Sequence, residues 1–215
     1  GLANAASVEK RGVSSVERGV SSVERRRKIF VVGFPKSGTS TIQKALEATG
    51  YKSAHWKTEE GFVGELMYQG LDDFDDPWYY LQSYDAITQA DACIPRQSVN
   101  YWPNLDLKII ESIQQKYPDC LFLLNYRNPK EIVSSISRWG DLKERIEQSN
   151  IPGLPAGQGS AHELEVWINR HFEKLREHFA EDDHFLEVDI SDDRAPKQIE
   201  AKLGVELGWW GVANE

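Results

Sequence analysis

The stretch KIFVVGFPKSGTSTIQKALEATG, residues 28–50, constrains the fold more than any other part of the chain. An apolar run long enough for one strand ends in GFPKSGTST at 33–41, and this loop opens into a segment of helical periodicity that stops at Gly50. Strand, glycine-bearing loop and helix N-terminus in that order make a preorganised anion site, because successive backbone N–H groups converge on one point. Gly33 and Gly38 have the spacing of a nucleotide-triphosphatase loop, yet the residue after Gly38 is Thr39 where such a loop carries lysine. The lysine is Lys36, inside the loop, which shifts the point charge along the phosphate chain. No clear acidic strand end completes a magnesium site of the kinase type, so a kinase is disfavoured.

The rest of the chain continues an alternating pattern. YKSAHW (51–56), a part of YDAITQADAC (84–93), CLFLLNY (120–126) and HFLEVDI (184–190) read as further strands. LDLKIIESIQQKY (105–117) and ELEVWINRHFEKLREHF (163–179) read as amphipathic helices, with Leu164, Trp167, Ile168, Phe172 and Leu175 on one stripe of the second. This order predicts a three-layer α/β/α domain of the P-loop nucleotide-binding type, with a parallel sheet and ligands at the carboxyl ends of its strands. The domain is expected over 28–215. Residues 1–27 are expected to form a flexible or weakly helical arm, because RGVSSVE at 11–17 recurs at 18–24 and two heptads make a poor coiled coil. IPGLPAGQGS (151–160) reads as a mobile covering loop.

Composition excludes several classes. With 25 Lys and Arg against 34 Asp and Glu, a net charge of −9 argues against a general nucleic-acid binder, which needs basic surface. The apolar runs are far shorter than the ~20 residues of a membrane span. Cys93 and Cys120 are too few for a disulfide framework and read as core thiols. The expectation is a soluble, cytoplasmic protein; its oligomeric state stays open.

PKSGT at Pro35–Thr39, directly after the first strand, resembles the 5′-phosphosulfate loop of the sulfotransferase family. NYRNPKEIVSSISRW (125–139) resembles that family's 3′-phosphate site, an arginine at a strand end with a serine eight residues on, here Arg127 and Ser135. The resemblance covers roughly 28–206. It implies 3′-phosphoadenosine 5′-phosphosulfate as cofactor, 3′,5′-adenosine bisphosphate as product, no metal, and a small-molecule acceptor bearing a hydroxyl or amine. Lys36 would stabilise charge on the leaving nucleotide, Ser37, Gly38, Thr39, Ser40 and Thr41 would hold the 5′-phosphate, and Arg127 with Ser135 the 3′-phosphate. Family members often close on the 3′-phosphate with a basic segment near their end, whereas this chain ends GVELGWWGVANE without Lys or Arg. An atypical P-loop kinase and a non-catalytic nucleotide-binding protein are the alternatives.

Transfer to an alcohol or amine is helped by a base. His55 after the second strand and Asp91 after the third compete for that role, with His55 favoured by an ordinary pKa near 6.5 and Glu59 and Glu60 weaker candidates. Other features read as decoys. DDFDD (72–76) reads as a solvated acidic loop, and HELEV (162–166) lacks the second histidine of a zinc helix. His171 and His178 read as exposed residues of a polar helix face. Trp78, Tyr79, Tyr80, Tyr84, Tyr101 and Trp102 read first as core, and are compatible with an acceptor pocket.

Overall fold

The computed structural model describes residues 26–211, so the tandem heptad, and the expected arm up to residue 25, lie outside the described residues. Arg26 and Arg27 already touch the domain: Arg26 donates to the Gly50 carbonyl, and Arg27 Nε donates to the Asp119 carbonyl at 2.7 Å. In chain order the elements are β1 (Ile29–Val31), α1 (Thr39–Ala48), β2 (Ser53–His55), β3 (Lys57–Thr58), β4 (Gly61–Phe62), α2 (Val63–Phe74), β5 (Ala86–Gln89), β6 (Ala92–Ile94) and β7 (Val99–Tyr101). There follow α3 (Leu107–Lys116), β8 (Leu121–Tyr126), α4 (Pro129–Arg138), α5 (Leu142–Glu147), α6 (Ala161–His178), β9 (Phe185–Asp189) and α7 (Ala195–Leu203).

Five strands make the central sheet in the order β2-β5-β1-β8-β9, each neighbour parallel to the next. Residues 29–32 and 121–124 are apolar at every position because helices cover both faces. Alternation along the strands divides them between two cores. Phe30, Val32, Ile87, Phe122 and Leu124 pack with α2, α3, α4 and α6, whereas Ile29, Val31, Ala86, Leu121 and Leu123 pack with Ile42 and Leu46 of α1 and Ile199 of α7. The three-layer α/β/α arrangement predicted from the sequence follows. From β1 the chain crosses to the edge strand β2, returns inward to β5 between them, and then passes to β8 and β9 on the other side of β1, so the crevice where strand order reverses lies at the carboxyl end of β1.

Several local expectations are corrected. The acidic run at 72–76 is not a loop but the last turn of α2 and its cap, where Asp75 takes φ 54° and Asp76 accepts from Trp78 N at 2.9 Å and the Tyr117 hydroxyl at 2.7 Å. His171 is not on the polar face of α6: it is 4 % exposed and lies in the apolar stripe with Trp167, Ile168, Phe172 and Leu175. His178 is half-buried against Gln114. The 151–160 segment is pinned to α6, since Ile151 and Leu154 are buried and Trp167 Nε1 donates to the Pro152 carbonyl at 2.9 Å. Both thiols are buried and unpaired, as expected of core cysteines. Among the described residues no helix is long and apolar enough to cross a membrane.

Candidate active site

β1 is fully buried and ends in a tight loop whose backbone twice enters the left-handed region. Gly38, at φ 73° and ψ 20°, is the N-cap of α1, and as a glycine it brings no side-chain acceptor to the first N–H groups of the helix. Lys36, at φ 64°, adopts the same region at a cost of roughly 1 kcal/mol, a strain of the kind stored at functional sites. Ser37 is buried, and its hydroxyl has no hydrogen-bond partner among the described residues. A donor buried in a loop of N–H groups is fitted to an anion rather than to the packed interior. Thr39, Ser40 and Thr41 supply hydroxyls on the first turn of α1.

Gly38, Thr41 and Arg127 line one cleft of about 440 Å³ beside Ile190, Trp210 and Gly211. Arg127 reaches the loop from the end of β8: its Nη1 donates to the Lys36 carbonyl at 2.5 Å, and its Nε pairs with Glu131 at 3.5 Å. A guanidinium carries five N–H donors, so it can serve the loop and a phosphate together. Ser135 lies on α4, two turns further on, buried at 3 % exposure, and does not line the cleft. The far rim is closed by the last described residues, where the Thr41 hydroxyl donates to the Gly211 carbonyl at 2.8 Å.

The Lys36 ammonium lies 3.3 Å from the centre of the Trp139 ring, a cation–π contact at the mouth of the loop. Lys36 is also coupled to Asp91, whose carboxylate its charge favours. Burial is the larger effect on Asp91: despite Gln89 Nε2 at 3.4 Å, the carboxyl is pushed up to about 6. His55 moves the other way, pushed down to about 4 by burial. Its Nδ1 is 2.9 Å from Thr88 Oγ1, and the Thr88 hydroxyl donates to the Ala54 carbonyl at 3.4 Å. Thr88 therefore accepts from Nδ1–H, which leaves the lone pair on Nε2. The order of pKa values assumed from free side chains is thus reversed, because burial raises an acid and lowers a base. Glu59 and Glu60 are exposed in the turn between β3 and β4.

Of the aromatic group, Trp78 and Trp102 are core, Tyr79 and Tyr80 are exposed beside Phe74, and the six do not form one pocket. Sequence reasoning missed Trp139, Asn104, Asn125 and His171, all of which bear on the loop. For His171 the signal was present in the helical period, three and four residues from Ile168 and Trp167. Among the described residues no three His, Cys, Asp or Glu side chains converge as a metal site requires.

Of solved structures, the mouse sulfotransferase SULT7A1 complexed with PAP is similar to the chain with a TM-score of 0.47 and 20 % identity, covering 86 % of this chain and 61 % of its own. This chain thus spans less than two thirds of that relative. No curated protein is significantly similar in sequence. Residues 28–151, more than half of the chain, match the sulfotransferase domain family and contain the loop, both base candidates, Arg127 and Trp139. The chain belongs to the sulfotransferase domain family.

Proposed function

We propose that the protein transfers a sulfuryl group from 3′-phosphoadenosine 5′-phosphosulfate to a hydroxyl or amine of a small-molecule acceptor. One observation carries this reading above the others: Gly38 and Thr41 of the loop share one cleft with Arg127, and the same loop carries the buried, unpartnered Ser37 hydroxyl. An in-line displacement with an anionic leaving group requires fixed donors and cations where that charge develops, and an acceptor for the proton. The donor nucleotide supplies the activated sulfuryl group when bound. The residues present fit it, since the buried Ser37 hydroxyl and the loop N–H groups are donors suited to a 5′-phosphate, and Arg127, which lines the cleft with Gly38 and Thr41, is suited to a 3′-phosphate. Ser135, buried on α4, does not line that cleft.

Lys36 stabilises charge that grows on the leaving phosphate, and Trp139 holds its ammonium at the mouth of the loop. Asp91 takes the acceptor proton: at pH 7 it is largely ionised, and with a value about 6 its carboxylate is a stronger base than an ordinary aspartate. His55, neutral and with Nε2 as its acceptor atom, orients the acceptor hydroxyl or amine toward Asp91. No nucleic acid or bilayer takes part in this reading.

The test is incubation with the phosphosulfate nucleotide and a panel of phenols, alcohols and amines, following release of 3′,5′-adenosine bisphosphate. Acceptor-dependent release that Lys36→Ala abolishes supports the proposal. Magnesium-dependent turnover of ATP instead would establish the kinase, and tight nucleotide binding without turnover on any acceptor a non-catalytic binder.

A further inference from the structure

The phosphosulfate loop is held from behind by side chains that no motif contains. His171 Nε2–H donates to the Val32 carbonyl at 2.7 Å, and Asn104 Nδ2 donates to the Gly33 carbonyl at 2.9 Å. Asn125 Nδ2 donates to the carbonyls of Phe34 at 3.4 Å and Ser37 at 2.9 Å. Arg127 takes the Lys36 carbonyl at 2.5 Å. The donors come from α6, from the turn before α3, and from β8 with the residue following it, so three separate pieces of chain converge on the carbonyls of one loop.

The cost of this arrangement is visible in what the side chains leave undone. Asn104, Asn125 and His171 are 1 %, 0 % and 4 % exposed, and in each the remaining acceptor atom, Oδ1, Oδ1 and Nδ1, has no hydrogen-bond partner among the described residues. A buried acceptor left unpaired is destabilising. Apolar side chains of similar size would avoid that loss, yet three polar ones stand here, each spending its donor on the loop.

The geometry of the peptide unit says what the donors accomplish. In a trans peptide the C=O of one residue and the N–H of the next point in opposite directions, and the described chain has no cis bonds. Turning the Ser37 carbonyl toward Asn125 therefore turns the Gly38 N–H away from Asn125, and fixing the Lys36 carbonyl does the same for the Ser37 N–H. The Gly33 carbonyl, held by Asn104, fixes the Phe34 N–H in the same manner, and His171 holds the peptide where β1 enters the loop. A carbonyl that swung inward would instead face an anion with its negative end.

We propose that Asn104, Asn125 and His171 are positioning residues of the sulfuryl-donor site, which hold the loop carbonyls outward so that the loop N–H groups are preorganised for a phosphate. The identity of the anion rests on the function proposed above; the clamp itself does not. The test uses the full chain with Asn104→Leu and His171→Phe, which remove a donor at nearly constant volume, and His171→Gln, which restores one. Two quantities are measured on protein verified as folded: ¹⁵N order parameters of the Gly33 and Phe34 amides, which follow the carbonyls held by His171 and Asn104, without ligand, and calorimetric affinity for 3′,5′-adenosine bisphosphate. Asn104→Leu and His171→Phe are each expected to lower those order parameters from about 0.85 toward about 0.6 and to weaken the nucleotide about tenfold. Amides of α7, remote from the loop, stay unchanged, and His171→Gln recovers most of both losses. A merely structural role would lower the melting temperature and leave loop order and affinity alone, and that result overturns the proposal, as does a loosened loop that binds with undiminished affinity. If His171→Phe does not fold, Asn104→Leu decides by itself. Should the wild type bind no adenosine bisphosphate while the variants still loosen the loop, the nucleotide reading falls and the clamp stands.

Discussion

Replacing Asp91 by asparagine is expected to stabilise the protein at neutral pH while removing its turnover. The carboxyl lies in the turn between β5 and β6 at 7 % exposure, and desolvation outweighs its bond to Gln89 and the charge of Lys36, raising it from 3.8 to about 6. A value raised on folding means that the neutral acid is the form the native state favours. Its contribution to stability is therefore complete below the unfolded value near 3.8 and is lost as pH rises through about 6. At about 1.36 kcal/mol per pH unit, the full loss is about 3 kcal/mol, of which about 2 kcal/mol is expressed between pH 4.5 and pH 8. Asparagine does not ionise and keeps an oxygen for Gln89. The assay is denaturant unfolding of both proteins at pH 4.5 and at pH 8, with turnover measured on the same preparations. Any pH-independent effect of the substitution cancels in the comparison, and the Asp91→Asn advantage should grow by about 2 kcal/mol toward pH 8. A gap that does not change with pH would show the carboxyl to be solvated, and wild-type turnover in the variant would remove it as the base.

Lys36→Ala and Arg127→Ala should fail differently: the first should lower kcat by about 10²–10³ with little change in nucleotide affinity. Loss of Arg127 should weaken 3′,5′-adenosine bisphosphate by about 1.5–3 kcal/mol and narrow its margin over AMP, and an undiminished margin would refute the 3′-phosphate assignment. The pH profile of kcat/KM should rise through about 6, the value of Asp91, whereas a limb near 4 that disappears in His55→Ala would transfer the proton to His55. In Gly33→Ala the new Cβ would stand 2.0 Å from Asn125 Oδ1, so the variant should lose about 1–3 kcal/mol of stability together with nucleotide affinity; calorimetry and unfolding showing neither would contradict the packing of Asn125 on the loop.

What could be read from the chain was local. Residues 28–50 carry strand, loop and helix in one run, and β8 with the start of α4 is marked by CLFLLNY followed by Asn128 as N-cap and Pro129 at the first helical position. Between residues 56 and 104 little beyond β5 was legible, since two- and three-residue strands such as β3, β4, β6 and β7 exist only through their partners. The phosphate cradle was legible as donors but not as a held shape. Asn104 and His171 stand 71 and 139 residues from the carbonyls they bind, and nothing in their own neighbourhoods announces that contact. The base candidates were found as residue types at strand ends, while their relative strengths depend on burial, which a free-side-chain pKa omits.

Calorimetry with 3′,5′-adenosine bisphosphate, ADP and AMP tests the central claim most directly, because it addresses the donor nucleotide before any acceptor is known. A cleft lined by Gly38 and Thr41 of the loop and by Arg127 is expected to bind the bisphosphate at least about tenfold more tightly than AMP or ADP, since a charged hydrogen bond to the 3′-phosphate contributes about 1.5–3 kcal/mol. Equal affinity for all three would contradict the reading of this chain as an enzyme that uses a 3′-phosphorylated sulfuryl donor.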